Sequence, residues 1–407
     1  MQSKQALVPK LRFEDGSGNS YPDWKEKPLS DVSHNVMYGM NAAATKYDGV
    51  TKYIRITDID EESHKFRSDA ITSPDEEAAD QFILHKGDIV FARTGASVGK
   101  SYLYNEADGN LAFAGFLIRF SICSKQTNPF FIFLQTQTQK YWKWVKVYSM
   151  RSGQPGINAE EYKTFPIHTP SLPEQEKIAA FLTSVDDRID QLKRKKSLLQ
   201  DYKKGAMQKL FSQELRFKDE QGKDFPDWEE KCIGELYGER NEKGYLDMEL
   251  LSVSIKRGVS LQSEGNKRDS SNSDKSKYKR VLVGDIAYNS MRMWQGASAV
   301  SRLDGIVSPA YTILKNSNKT HSPFYGYLFK MNSMIQIFQR YSQGLTSDTW
   351  NLKYPAISKI RVVNPSLPEQ TKIANFLSSL DQKLEQIDTQ ITQTQSFKKG
   401  LLQQMFV

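Results

Sequence analysis

Between residues 170 and 211, apolar side chains return at steps of four and three: Ile178, Leu182, Val185, Ile189, Leu192, Leu199, Ala206 and Leu210. The same rhythm returns between 365 and 406, with Ile373, Leu377, Leu380, Leu384, Ile387, Ile391, Leu401 and Met405. A 3.5-residue repeat held over nearly five heptads predicts a long helix with a narrow apolar seam. Lys196 and Lys203 interrupt the first seam, and Thr394 and Lys398 the second. At 1.5 Å per residue, about 38 residues make a rod of roughly 57 Å. Each rod opens on the same hexapeptide, Pro170-Ser171-Leu172-Pro173-Glu174-Gln175 and Pro365-Ser366-Leu367-Pro368-Glu369-Gln370, at a constant offset of 195. Proline is tolerated in a first helical turn, where its missing N–H has no partner to lose. The glutamate there faces the positive end of the helix dipole. A rod with an exposed apolar stripe needs a partner, and the two are predicted to pair with each other.

The duplication extends beyond the rods. Leu11-Arg12-Phe13 and Tyr21-Pro22-Asp23-Trp24 return as Leu215-Arg216-Phe217 and Phe225-Pro226-Asp227-Trp228, at an offset of 204. The chain therefore reads as module, rod, module, rod: 1–169, 170–211, 212–364 and 365–407. The modules agree at their edges and diverge within. Gly87-Asp88-Ile89 against Gly284-Asp285-Ile286, and Pro129-Phe130 against Pro323-Phe324, are among the interior echoes. Here the pattern shortens to β-branched and aromatic runs bounded by Gly-Asp turns. Strands and hairpins are predicted over 50–58, 82–93, 111–122, 281–290 and 306–314, and single helices over 129–147 and 323–338. Residues 267–277 carry Ser, Asn, Lys and Asp without periodicity and are expected to form a mobile loop. The fold class is α+β, with mixed modules on a helical spine. Trp24 and Trp228 are expected to seat the modules on the rods.

The 407 residues carry a formal charge of +8, a balance that suits a polyanionic partner. Cys123 and Cys232 give neither a disulfide framework nor a zinc spacing, which points to a reducing cytoplasm. The start has no secretory signal, and the longest apolar run is too short to span a bilayer. Gly95 to Ser101 resembles a phosphate-binding loop, but Thr94 stands where glycine or alanine is needed and strand is expected to follow. Thr127-Asn128-Pro129-Phe130 has one proline too few for an amino-methyltransferase site, and no glycine-rich cofactor loop precedes it. The acidic residues around Trp228 are contiguous, unlike nuclease carboxylates, and the five histidines form no ligand set. No catalytic or metal constellation remains.

Polar and basic loops recur at matching places. In the first module they carry Arg93, Thr94, Ser97 and Lys100, then Arg151, Ser152 and Gln154. In the second they carry Asn289, Ser290, Arg292, Trp294 and Gln295, then Gln343, Thr346 and Ser347. These side chains suit base edges and phosphates, and glycine allows close backbone approach.

On the repeated Leu-Arg-Phe…Trp entry, the Gly-Asp-Ile strand and the duplicated Pro-Ser-Leu-Pro-Glu-Gln rods, the chain resembles the specificity subunit of type I restriction-modification systems over essentially its whole length. The resemblance implies two target-recognition domains on two antiparallel coiled-coil helices, in an internal pseudo-twofold repeat. Each domain would read half of a bipartite, asymmetric site on double-stranded DNA. The helices would set the gap and bind two modification subunits. No cofactor is implied in this chain: S-adenosylmethionine, ATP and Mg²⁺ would sit on the modification and restriction subunits. A single-chain methyltransferase or restriction enzyme, and a coiled-coil scaffold without DNA readout, are the competing readings.

Overall fold

A computed structural model describes residues 7–123, 125–150, 153–255, 257–264, 274–347 and 349–407. Both rods are single helices, Leu172–Phe211 and Leu367–Met405, of 40 and 39 residues. The chain divides into two compact units, Met1–Lys193 with Thr389–Val407, and Arg194–Asp388. The division falls inside the long helices and not at their starts, so each unit holds one module and half of each helix.

In the first unit, Ile178, Leu182, Val185 and Ile189 pack with Leu401, Leu402, Met405 and Phe406, so the start of one long helix lies against the end of the other. Lys398, a break in the seam, spends its charge on Asp186 at 2.8 Å. The edge motifs meet at the helix start. Glu174 is fully buried, and its carboxylate accepts from Arg12 Nε (2.8 Å), Arg12 Nη2 (3.0 Å) and the Trp24 indole N–H (3.2 Å). The bond to Glu174 holds the Arg12 pKa above its ordinary value, so the guanidinium stays charged. Gln175 accepts from Asn128 N and donates to the Pro170 carbonyl. Phe13 stacks edge-on against Phe181 at 5.5 Å. Thus Leu-Arg-Phe, Pro-Asp-Trp and Pro-Glu-Gln are three pieces of one joint. Lys25–Pro28 then pairs antiparallel with Pro166–Thr169 and closes the module at its base.

The module itself is a four-stranded antiparallel sheet in the order Ser33–Tyr38, Leu117–Ile122, Asp88–Ala92 and Ser101–Leu103. The Gly-Asp turn starts its third strand: Gly87 supplies a φ of 92°, and Asp88 accepts from His85 N and the Ser121 hydroxyl. The helix expected over 129–147 is two, Pro129–Gln135 and Gln139–Tyr148. Thr136 turns its hydroxyl back to the Phe133 carbonyl, and Thr138 caps the second helix through Tyr141 N. The strand expected over 50–58 stops at Ile54, because the Asp58 carboxylate gathers the Arg55 N–H and guanidinium and winds Ile56–Asp58 into a 3-10 turn. The 111–122 segment is a strand pair, Leu111–Phe113 and Leu117–Ile122.

The second unit repeats the plan. Its sheet order is Gly238–Glu239, Tyr311–Lys315, Ile286–Asn289 and Ser298–Val300, and Glu229–Cys232 pairs with Arg361–Asn364 at the base. Glu369 is fully buried and accepts from Arg216 (3.1 and 3.0 Å) and the Trp228 indole (3.0 Å). Lys196 with Asp388 (2.6 Å) and Lys203 with Asp381 (2.5 Å) bridge the long helices, and the opposed numbering shows that the helices run antiparallel. The expected single helix over 323–338 is again two, Ser322–Leu328 and Asn332–Tyr341. The expected loop 267–277 lies largely outside the described residues; Asp274 to Lys277 has no regular structure. No helix among the described residues is long and apolar enough to cross a membrane.

Candidate nucleic-acid interface

In each module three loops converge at one end of the central sheet. In the first, the loop after Asp88–Ala92 is clamped on both sides: Arg93 N donates to the Phe116 carbonyl, and the Arg93 carbonyl accepts from Ile157 N, at 3.0 and 2.9 Å. Thr94 bridges to Gly156, and Gly95 N donates to the Pro155 carbonyl. The sequence-distant loops after strand Asp88–Ala92 and after helix Gln139–Tyr148 are thereby one surface. Gln154 is exposed on it, with its amide against Gly95. Thr94 and Ser97 are half-buried, and Arg151 and Ser152 lie outside the described residues.

Lys100 does not belong to this surface. It is buried, and its ammonium donates to the Ile59 carbonyl (3.2 Å) and Glu61 (3.3 Å). Burial of an ammonium requires such partners, and two of its three N–H donors are taken up inside the module. The loop that resembles a nucleotide cradle is instead a close turn on a helix. Gly99, at φ 90°, lies so near Val145 that a Cβ would sit 2.7 Å from it, and strand Ser101–Leu103 follows.

In the second module the loop after Ile286–Asn289 winds into a short 3-10 turn, Met293–Gln295. The Asn289 side chain accepts from Met291 N, and the Trp294 indole donates to the Met291 carbonyl. Leu352 N donates to the Ser290 carbonyl and Ser290 N to the Ala310 carbonyl, which draws in the other two loops. Gln343 and Asn351 exchange backbone bonds at 3.0 and 2.8 Å, and Trp350 packs edge-on against Trp294 at 5.2 Å. Arg292, Gln295, Gln343, Thr346 and Ser347 are exposed, with Arg340 and Lys353 beside them in sequence. Ser290 is buried, its hydroxyl paired with that of Thr312 at 2.8 Å, so it supports the loop from within and offers no contact to a ligand. The ammonium of Lys330 donates to the Gly296 carbonyl (2.5 Å), and burial pushes its pKa down to about 8.

Sequence reasoning missed Tyr38, Phe116 and Trp350 on these surfaces. Phe116 carried one faint signal, an aromatic residue just after glycine in the turn between two strands. Tyr38 carried none, because only the fold sets it beside Arg93. Among the described residues, no group of acidic, histidine and cysteine side chains is placed to hold a metal ion.

Residues 21–200 and 307–394 match the family described as type I restriction modification DNA specificity domain. The type I restriction enzyme MjaVIII specificity subunit of Methanocaldococcus jannaschii is 23% identical over 352 residues, 79% of each chain. Among solved structures, the S subunit of a type I restriction-modification system from M. genitalium superposes with a TM-score of 0.59 at 15% identity, covering 98% of this chain and 99% of that one. A chain from a structure of a type I R-M system, solved for its complex assembly and conformational transition, gives 0.52 at 15% identity, covering 94% and 96%.

Proposed function

The chain belongs to the type I restriction modification DNA specificity family and is a specificity subunit of such a system, and from that premise we propose that its two modules each read one half of a bipartite, asymmetric site on double-stranded DNA. The observation that carries this is the recurrence of one loop assembly with different side chains. The sheet order, the buried Glu-Arg-Trp joint and the paired helices repeat, while Arg93 and Gln154 in one module stand against Arg292, Gln295 and Gln343 in the other. A constant frame with variable tips is what reading two different half-sites requires.

The chain works without chemistry of its own. Methyl transfer and cleavage fall to modification and restriction subunits, which carry S-adenosylmethionine, ATP and Mg²⁺. The long helices set the gap between half-sites and dock two modification subunits. Tyr202 and Phe397, equivalent at the rod offset of 195, are exposed aromatic residues on those helices and suit a protein partner. Replacing residues 25–165 with the corresponding segment of a relative, in cells that carry the modification subunits, tests the proposal. Methylated-adenine mapping is expected to show one half of the motif changed and the other kept. Change in both halves, or methyl transfer by the purified chain alone, refutes it.

A further inference from the structure

We infer that Arg93 is the guanine reader of the first half-site and that Tyr38 and Phe116 are its positioning residues; the inference rests on the DNA-reading role proposed above. The Arg93 guanidinium carbon lies over the Tyr38 ring, 5.0 Å from its centroid, and 5.9 Å from that of Phe116. Both rings are substantially exposed, at 40% and 59%, so the group sits at the surface and not in the core. Among the described residues no carboxylate pairs with it, and its Nε is buried without a hydrogen-bond partner.

The manner of holding matters. A carboxylate partner would occupy the in-plane N–H donors of an arginine. Aromatic rings engage the face of the guanidinium and leave its edge free. That edge is a planar fork that fits two acceptors side by side. In the major groove guanine alone offers such a pair, O6 with N7. Fixing the side chain in advance removes part of the entropy lost on binding.

The backbone is built to bring the three side chains together. Arg93 N donates to the Phe116 carbonyl at 3.0 Å, and Gly39 N to the Leu117 carbonyl at 3.1 Å. A Cβ on Gly39 would lie 2.3 Å from the Ala114 carbonyl oxygen, so only glycine lets the end of strand Ser33–Tyr38 approach that turn. The Tyr38 hydroxyl accepts from Ala159 N at 3.1 Å, which fixes the ring. Together these contacts set Tyr38 and Phe116 about one guanidinium.

The test uses the full chain assembled with its modification subunits. Methylated motifs are mapped in cells, and binding is measured on duplexes carrying each single-base change, over a salt series. Arg93→Lys is expected to lose tenfold or more of the discrimination at one G·C pair of the first half-site, with the second half-site unchanged as the internal control for folding. Phe116→Leu and Tyr38→Leu are expected to relax that same pair to a smaller degree, and Tyr38→Phe, which keeps the ring and loses only the bond from Ala159 N, to relax it least. A uniform loss over all sequences with a shallower salt dependence would mean a phosphate contact and overturn the inference. So would relaxation at a different position in the ring variants, or no relaxation. If the wild-type complex shows no bipartite motif, the underlying DNA-reading proposal fails instead.

Discussion

Removing Arg12 is expected to damage the first unit more than its surface position suggests. Arg12→Ala deletes two N–H donors to Glu174 and one to the Pro22 carbonyl. The Glu174 side chain has no exposed area, so its carboxylate is left with the single Trp24 donor at 3.2 Å. Leaving one member of a buried pair behind costs about 3–5 kcal/mol. Glu174→Gln keeps the shape and strands only a guanidinium whose side chain is 13% exposed, so it should cost roughly 1.5–3 kcal/mol, the range for a hydrogen bond to a charged group. The double variant Arg12→Leu/Glu174→Leu removes both charges and should be more stable than Arg12→Ala alone. The corresponding arginine of the second unit, Arg216, is 22% exposed, so Arg216→Ala should fall toward the lower end of the range. Two units make a single unfolding midpoint ambiguous. The assay is therefore urea unfolding followed by hydrogen exchange resolved to peptides of each unit. If Arg12→Ala costs less than about 1 kcal/mol, or the double variant is as unstable as the single, the joint is not held by buried charge.

Two further predictions concern the second unit and the long helices. Lys330 has its folded pKa lowered to about 8 by burial, so between pH 8 and its unfolded value near 10.4 the unfolded chain binds more protons and stability rises with pH. The melting temperature of the second unit should climb from pH 8 to 9.5, and Lys330→Met should abolish the climb; an unchanged slope refutes it. Inserting four residues between Asp190 and Leu199 adds roughly 6 Å of helix, close to two base pairs at 3.4 Å each, and seven residues add about 10 Å and keep the heptad phase. The half-site bases should persist while the unread gap lengthens, with the four-residue insertion costing more stability; methylation of the original motif with its original gap refutes the proposal that the long helices set that gap.

What the sequence revealed and what it hid separate along a physical line. Seams, edge motifs and Gly-Asp turns are local or strictly periodic, and they were legible. The duplicated Arg, Trp and Glu could be matched as repeats, but only the fold shows that they close on one carboxylate. Lys196, Lys203 and Lys398 read as gaps in the apolar pattern, whereas each meets an aspartate on the facing helix. The break at Phe329 to Met331 was masked by apolar residues that continue through it, whereas the one at Thr136 to Thr138 lies in the polar run Gln135 to Lys140 and was marked only by the capping Thr138. Lys100 and Ser290 have the right chemistry for DNA and point the wrong way, since the side of a loop that a residue faces depends on strands far off in sequence. Arg93 was legible as a residue type, but the rings beside it come from positions 38 and 116.

The packing of Phe406 fixes an order of events during synthesis. The second unit is one continuous stretch, Arg194–Asp388, and all its parts have emerged once residue 388 clears the ribosome. The first unit begins to emerge earlier, yet its core includes Leu401, Leu402, Met405 and Phe406. Phe406 lies 6.0 Å from Trp24 and 5.2 Å from Phe131, ring to ring. The module made first must therefore wait, with Ile178, Leu182 and Val185 uncovered, until the final turns of the second long helix arrive. Domains usually mature in the order in which they are translated. Here the order inverts, because the core of the first unit is completed only by residues translated after the whole of the second.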